Sequence, residues 1–116
     1  MTNELGVSVT AFTRGVVIHL SGPLSSGSAM RLREAIAAVD ERETPTAILD
    51  LAQVPACDVH GMGAIIAAMK HAARRDIRLI VAAAGPPVSR AIERHGLTDR
   101  AELRDSLREA VDELEA

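Results

Sequence analysis

The side chains able to do chemistry gather in Cys57-Asp58-Val59-His60-Gly61-Met62-Gly63. Cys57 and His60 make a Cys-x-x-His spacing, which can pair a thiol nucleophile with a base or supply half of a metal site. A metal site needs more ligands. Cys57 is the only cysteine of the chain, and the next histidine, His71, falls well along the following helix. The default reading of Cys57 is a buried core cysteine, with no metal, no cofactor and no catalytic residue assigned. Gly61 and Gly63 near a helix start suggest a phosphate cradle, but H-G-x-G lacks the lysine and the length of a P-loop. Close packing of this turn against a neighbouring strand, or approach of a partner to its backbone, accounts for them better. Asp58 is placed to cap the helix that follows, its carboxylate accepting from free backbone N–H groups, and it is also a candidate partner contact. No set of acid, base and nucleophile converges, so the chain reads as a non-enzyme.

The remaining candidates are weaker. His19, His71 and His95 stand apart from one another and read as structural or solvated, His19 with an outward ring on a strand. Lys70 to Arg75 form a short basic cluster without aromatic residues, read as the solvated end of a helix, where cations complement the dipole. The formal charge of −3 gives no footprint for nucleic acid.

The elements that must hold these residues follow from periodicity. Val7–Phe12 alternates with period two, Thr13-Arg14-Gly15 turns, and Val16–Ser21 returns as a second strand, a hairpin ended by Gly22-Pro23. Ser25, Ser26 and Ser28 are N-cap candidates for a helix with Leu32, Ile36 and Val39 on one face. Asp40 to Pro45 is a loop, and Thr46–Leu51 is an apolar run suited to a buried central strand. The helix after Asp58 lines up Met62, Ile65, Ile66 and Met69. Ile77–Ala82 is the next strand, stopped by Gly85-Pro86-Pro87. Val88 and Ile92 mark a short helix with Gly96 just past its end. Leu97–Leu103 is ambiguous and has room for a last short strand, and Asp105 or Ser106 caps a final helix striped by Leu107, Val111 and Leu114.

The predicted order β-β-α-β-α-β-α-(β)-α implies an α/β fold, a four- to five-stranded mixed β-sheet packed with about four α-helices. A length of 116 residues fits one domain over 1–116. Phe12 is the only aromatic residue, so the core must be aliphatic. The first residues, Met1 to Leu5, have no basic region followed by a long apolar one, and no apolar run reaches the ~18–20 residues of a membrane span. With a single cysteine these features predict a cytoplasmic protein without direct membrane insertion.

The stretch Leu49-Asp50-Leu51 to Ile65-Ile66 resembles the signature of STAS domains, the family of bacterial anti-sigma factor antagonists, roughly D-L-x-x-V-x-x-x-D-S-S-G-L-G-x-L. Val17-Ile18-His19-Leu20-Ser21-Gly22-Pro23-Leu24 is similar to the family's R-L-x-G-E-L-D segment, and Ala91–Leu97 to its V-x-x-x-L-x-x-x-G-L segment. The element order is also the family's. The resemblance implies regulation by protein binding: an antagonist binds a kinase-like anti-sigma factor and frees a sigma factor for transcription, the antagonist binding in its unphosphorylated form and its own first serine after the aspartate being the usual phosphoacceptor. The implied contact surface is Asp58, Val59, His60, Gly61 and Met62, with Ser25 beside them.

Two departures bear on that switch. Val59 stands at the phosphoacceptor position and His60 at the second serine, while Pro23 and Ser25 replace the acids of G-E-L-D. A valine accepts no phosphoryl group and lacks the roughly −1.5 to −2 charge of a phosphoserine. The domain then reads as held in its binding-competent form or switched elsewhere. The alternative is a small STAS subunit docked on a membrane ABC transporter of the lipid type, which needs no phosphoacceptor. Homodimerisation is compatible with either.

Overall fold

The computed structural model describes residues 5–40 and 42–115. Its elements are β1 (Gly6–Phe12), β2 (Gly15–Ser21), α1 (Ala29–Ala37), β3 (Thr46–Gln53), α2 (Val59–Arg74), β4 (Arg78–Ala82), α3 (Pro86–Arg94), β5 (Glu102–Arg104) and α4 (Leu107–Glu115). The strands form a single mixed sheet in the order β1-β2-β3-β4-β5. β1 and β2 are an antiparallel hairpin with Phe12 opposite Gly15, and β2, β3, β4 and β5 run parallel.

That order dictates the layers. Each parallel connection steps one strand further in the same direction. Crossovers of one hand therefore put all their helices on one face. Leu32 and Ile36 of α1, Met62, Ala64, Ile65 and Ala68 of α2, and Val88 and Ile92 of α3 share a core with Ile18, Leu20, Leu49, Leu51 and Val81. The final helix, α4, folds onto the opposite face. There Ala110 packs with Val17, Ile48, Ile80 and Ala82, flanked by Phe12, Leu107, Val111 and Leu114. β3 is consequently covered on both sides, which is why Ala47-Ile48-Leu49 is an unbroken apolar run rather than an alternation.

Two local outcomes differ from the sequence expectations, and one open segment is settled. Pro86 and Pro87 do more than end a strand: Gly85 is the N-cap of α3 and the prolines fill its first turn, where a missing N–H leaves no bond unmade. The ambiguous segment resolves into a turn and a three-residue strand, β5. Ser28 occupies the N-cap position of α1 without capping it. Its side chain is fully buried; Oγ donates to the carbonyl of Pro23 at 2.7 Å and accepts from Ser25 N–H at 3.0 Å.

α4 is tied down by charge. Arg78 of β4 forks onto Glu102 of β5, with Nη2–Oε1 at 2.7 Å and Nε–Oε2 at 2.9 Å. Arg104 forks onto Glu113 of α4 at 2.6 and 2.8 Å, and Arg78 also reaches Glu113 at 3.2 Å. The Arg104 guanidinium, with Arg78 behind it, holds the Glu113 carboxyl down at about 2. Arg78 likewise lowers Glu102.

Candidate functional site

The site is built where two loops run side by side beyond the ends of β2 and β3. Gly22 N–H donates to the Gln53 carbonyl, Leu24 N–H to that of Ala56, and Asp58 N–H to that of Leu24, at 3.0, 3.0 and 3.1 Å. This zip extends the parallel pairing past the sheet, with Leu24 bridging Cys57. It sets the entrance of α1 beside the entrance of α2.

Asp58 caps α2. It has extended backbone geometry, and its Oδ1 accepts from His60 N–H and Gly61 N–H, both at 2.9 Å. Two of the four orphan donors of the helix start are thereby satisfied. Gly61 lies where α2 crosses the Leu24 loop. A Cβ there would collide with the Leu24 carbonyl, whose carbon would be 2.6 Å away. Gly63, by contrast, faces open space. The two glycines of H-G-x-G thus serve different ends, and only Gly61 is required by close packing.

The exposed part of this corner is apolar at its centre. Val59, the first residue of α2, is 64% exposed, and Met30 in the first turn of α1 is 60% exposed. Ser26, Ala29, Met30, Arg33 and His60 line a shallow groove of about 240 Å³ between the two helix starts. Asp58 and His60 are exposed and Ser25 is half-buried. Met62 is fully buried in the core beneath the helix, in keeping with its apolar stripe with Ile65, Ile66 and Met69 and against its place in the implied contact surface. Val59 and Met62 are only about 60° apart around the helix, but Val59 is its first residue, at the exposed end, whereas Met62 lies one turn further in, over the core. Gly61 is also buried, against Leu24.

Cys57 is half-buried and packs on the edge of the core, less enclosed than expected. Burial, reinforced by the Asp58 carboxylate, pushes its thiol up to about 11. A thiol that stays protonated at neutral pH is a poor nucleophile and a poor metal ligand. Among the described residues no three His, Cys, Asp or Glu side chains come together as a metal site, and no helix is long and apolar enough to cross a membrane.

Sequence reasoning missed one pairing. His19 is not isolated: its Nδ1 lies 2.8 Å from Asp50 Oδ2, across the β2–β3 register that sets the two residues opposite. His95 is also engaged, its Nδ1 donating to the Ala91 carbonyl at 2.8 Å. The His19–Asp50 pair depends on strand register, which no local signal in the chain announces.

The family model for the STAS domain matches residues 7–110. An anti-sigma factor antagonist from Mycobacterium paratuberculosis superposes with a TM-score of 0.87 at 23% identity, covering 100% of this chain and 98% of its own. The antagonist SpoIIAA of Bacillus, in its unphosphorylated form, gives 0.78 at 22% identity, covering 95% and 96%. A sulfate transporter family protein from Wolinella succinogenes gives 0.77 at 22% identity, covering 85% and 83%. No curated protein matches by sequence. At these identities the structural likeness speaks to the fold.

Proposed function

The chain belongs to the STAS domain family, and we propose that it works there as a one-domain interaction module of the anti-sigma factor antagonist kind. In this reading it binds a kinase-like anti-sigma factor in the cytoplasm, frees a sigma factor for transcription, and performs no chemistry of its own. The observation that carries the reading is Val59. It is a large apolar side chain, 64% exposed, at the phosphoacceptor position of the family pattern. Beside it stand Met30, likewise exposed, and the polar groups of Asp58, His60 and Ser25. An apolar centre with a polar rim is the anatomy of a protein interface. A valine at this position keeps that centre neutral, since no phosphate can be placed on it. The contact is therefore held in its unmodified, binding-competent form, or switched from another residue. Met62 and Gly61 support it from below by seating α2 on the core and on Leu24.

A second reading is favoured by the likeness to the Wolinella sulfate transporter family protein. In it the same corner docks on a membrane transporter, of the lipid ABC type named above. Affinity capture from the native cell extract, with bound proteins identified by mass spectrometry, separates the two. The bait is run as wild type and as Val59→Asp, which puts a charge at the centre of the surface. A kinase-fold anti-sigma factor captured without ATP by the wild type and lost with Val59→Asp supports the antagonist. A permease and ATPase lost in the same way support the transporter subunit. Capture insensitive to Val59→Asp refutes this corner as the contact.

A further inference from the structure

The helical face of the sheet is incompletely roofed. α1 and α2 are the helix pair in extensive contact; α2 and α3 are not. Between α2 and the segment joining α3 to β5, a groove of about 490 Å³ opens over β4. This is within the range of small-molecule sites, roughly 300–1,000 Å³. Its floor is aliphatic: Ile66 and Met69 from α2, Ile77, Leu79 and Val81 along β4, and Leu97 after α3.

Its rim carries positive charge. Lys70 and Arg100 line it, and neither makes an ion pair among the described residues. Arg78 and Glu102 also line it but neutralise one another at 2.7 Å. His95 spends Nδ1 on the Ala91 carbonyl and keeps Nε2 free. Two cations without an ion pair among the described residues thus flank an aliphatic trough in a chain that is net negative. Lys70 follows Val59 by roughly 16 Å of helix, so the groove is separate from the proposed partner surface.

We infer that this groove is a binding site for a small anionic amphiphile, an alkyl chain ending in a carboxylate. The chain lies on Leu79, Ile66 and Met69, and the carboxylate meets Lys70 and Arg100. The bound chain covers the partly exposed side chains of Ile66, Met69 and Leu79, and the rim supplies charge-assisted hydrogen bonds.

Decanoate is the probe. Its affinity is measured by displacement of cis-parinarate fluorescence, against little background because the protein has no Trp or Tyr. Its location is mapped by backbone amide shifts. Expected are shifts centred on Leu79, Leu97 and Ala101, and weaker binding of decyltrimethylammonium, which has the same chain and the opposite charge. The double variant Lys70→Glu/Arg100→Glu changes two exposed residues and should leave the melting temperature nearly unchanged. It should weaken decanoate by about fivefold or more, an effect that fades in high salt. Equal affinity for the cationic amphiphile, shifts confined to the Val59 corner, no decanoate binding at millimolar concentration, or an unaffected double variant each overturn the inference. Protection of these amides by a captured protein partner, with none by decanoate, overturns it as well, since the groove would then be a protein interface.

Discussion

Gly61 and Gly63 are two residues apart on one helix, and the structure gives Gly→Ala opposite signs at the two positions. At Gly61 the new methyl meets the Leu24 backbone rather than a movable side chain. Leu24 is itself held by its N–H on Ala56 and its carbonyl on Asp58 N–H. Overpacking of this kind costs about 1–3 kcal/mol. Loosening the Asp58–Leu24 hydrogen bond adds about 1 kcal/mol, and the better helix propensity of alanine returns about 1 kcal/mol. Gly61→Ala should therefore destabilise by about 1–3 kcal/mol. At Gly63 no atom lies within 4 Å of the new Cβ. Only the propensity gain applies, and Gly63→Ala should stabilise by roughly 0.5–1 kcal/mol. At about 3–6 °C per kcal/mol for a chain of this size, the melting temperature falls by roughly 3–18 °C in the first variant and rises by roughly 2–6 °C in the second. Far-UV circular dichroism at 222 nm is the appropriate monitor, since the protein has no Trp or Tyr. A shift of the same sign in both variants would refute the assignment of Gly61 to close packing and Gly63 to open space.

Asp58→Ala removes the acceptor for His60 and Gly61 N–H and should lower stability by about 0.5–2 kcal/mol, read as a lower urea midpoint at unchanged slope; partner binding lost with the midpoint unmoved would make Asp58 a contact instead of a cap. Glu113 titrates at about 2 in the fold against an ordinary 4.5. Its contribution is therefore present above about pH 4.5 and is lost as pH falls towards about 2. The urea midpoint gap between wild type and Glu113→Gln should be widest near neutrality and close over that window, and a gap independent of pH would dismiss the ion-pair account of α4. Cys57, its thiol pushed up to about 11, should react with Ellman's reagent at pH 7.5 at least about tenfold more slowly than free cysteine, its rate still climbing beyond pH 9; a rate matching free cysteine would contradict the burial.

What the sequence made legible was whatever a local pattern encodes. The hairpin, the buried run of β3 and the helix opened by Asp58 were readable because period-two alternation, an unbroken aliphatic stretch and a capping aspartate each act within a few residues. The features that escaped depend on which segments become neighbours. The contiguous motif draws Met62 into the implied contact surface, although its helical stripe with Ile65, Ile66 and Met69 already points to the core, where it lies. Ser28 looked like a cap because of its residue type, but the loop at Pro23 claims its hydroxyl. The pairing of His19 with Asp50 and the network through Arg78, Glu102, Arg104 and Glu113 need strand register and the choice of face for α4. Ala83 adopts a left-handed backbone at φ 62°, a conformation that residue type assigns to glycine; there its N–H reaches the Arg104 carbonyl.

The sheet ends differently on its two sides. On one, β5 is three residues long, and the side chains of Glu102 and Arg104 are occupied by the charged network. On the other, β1 presents seven residues, pairs only with β2 among the described strands, and carries Ser8, Val9 and Thr10 in the open with neither lysine nor proline to blunt them. Strand addition is therefore available on a single side. Two copies meeting along β1 about a two-fold axis would use up both free edges at once, and growth would halt at the dimer. In such a pair the asymmetry of the sheet would act as a chain terminator, since closing the two β1 edges leaves no second edge of the same kind.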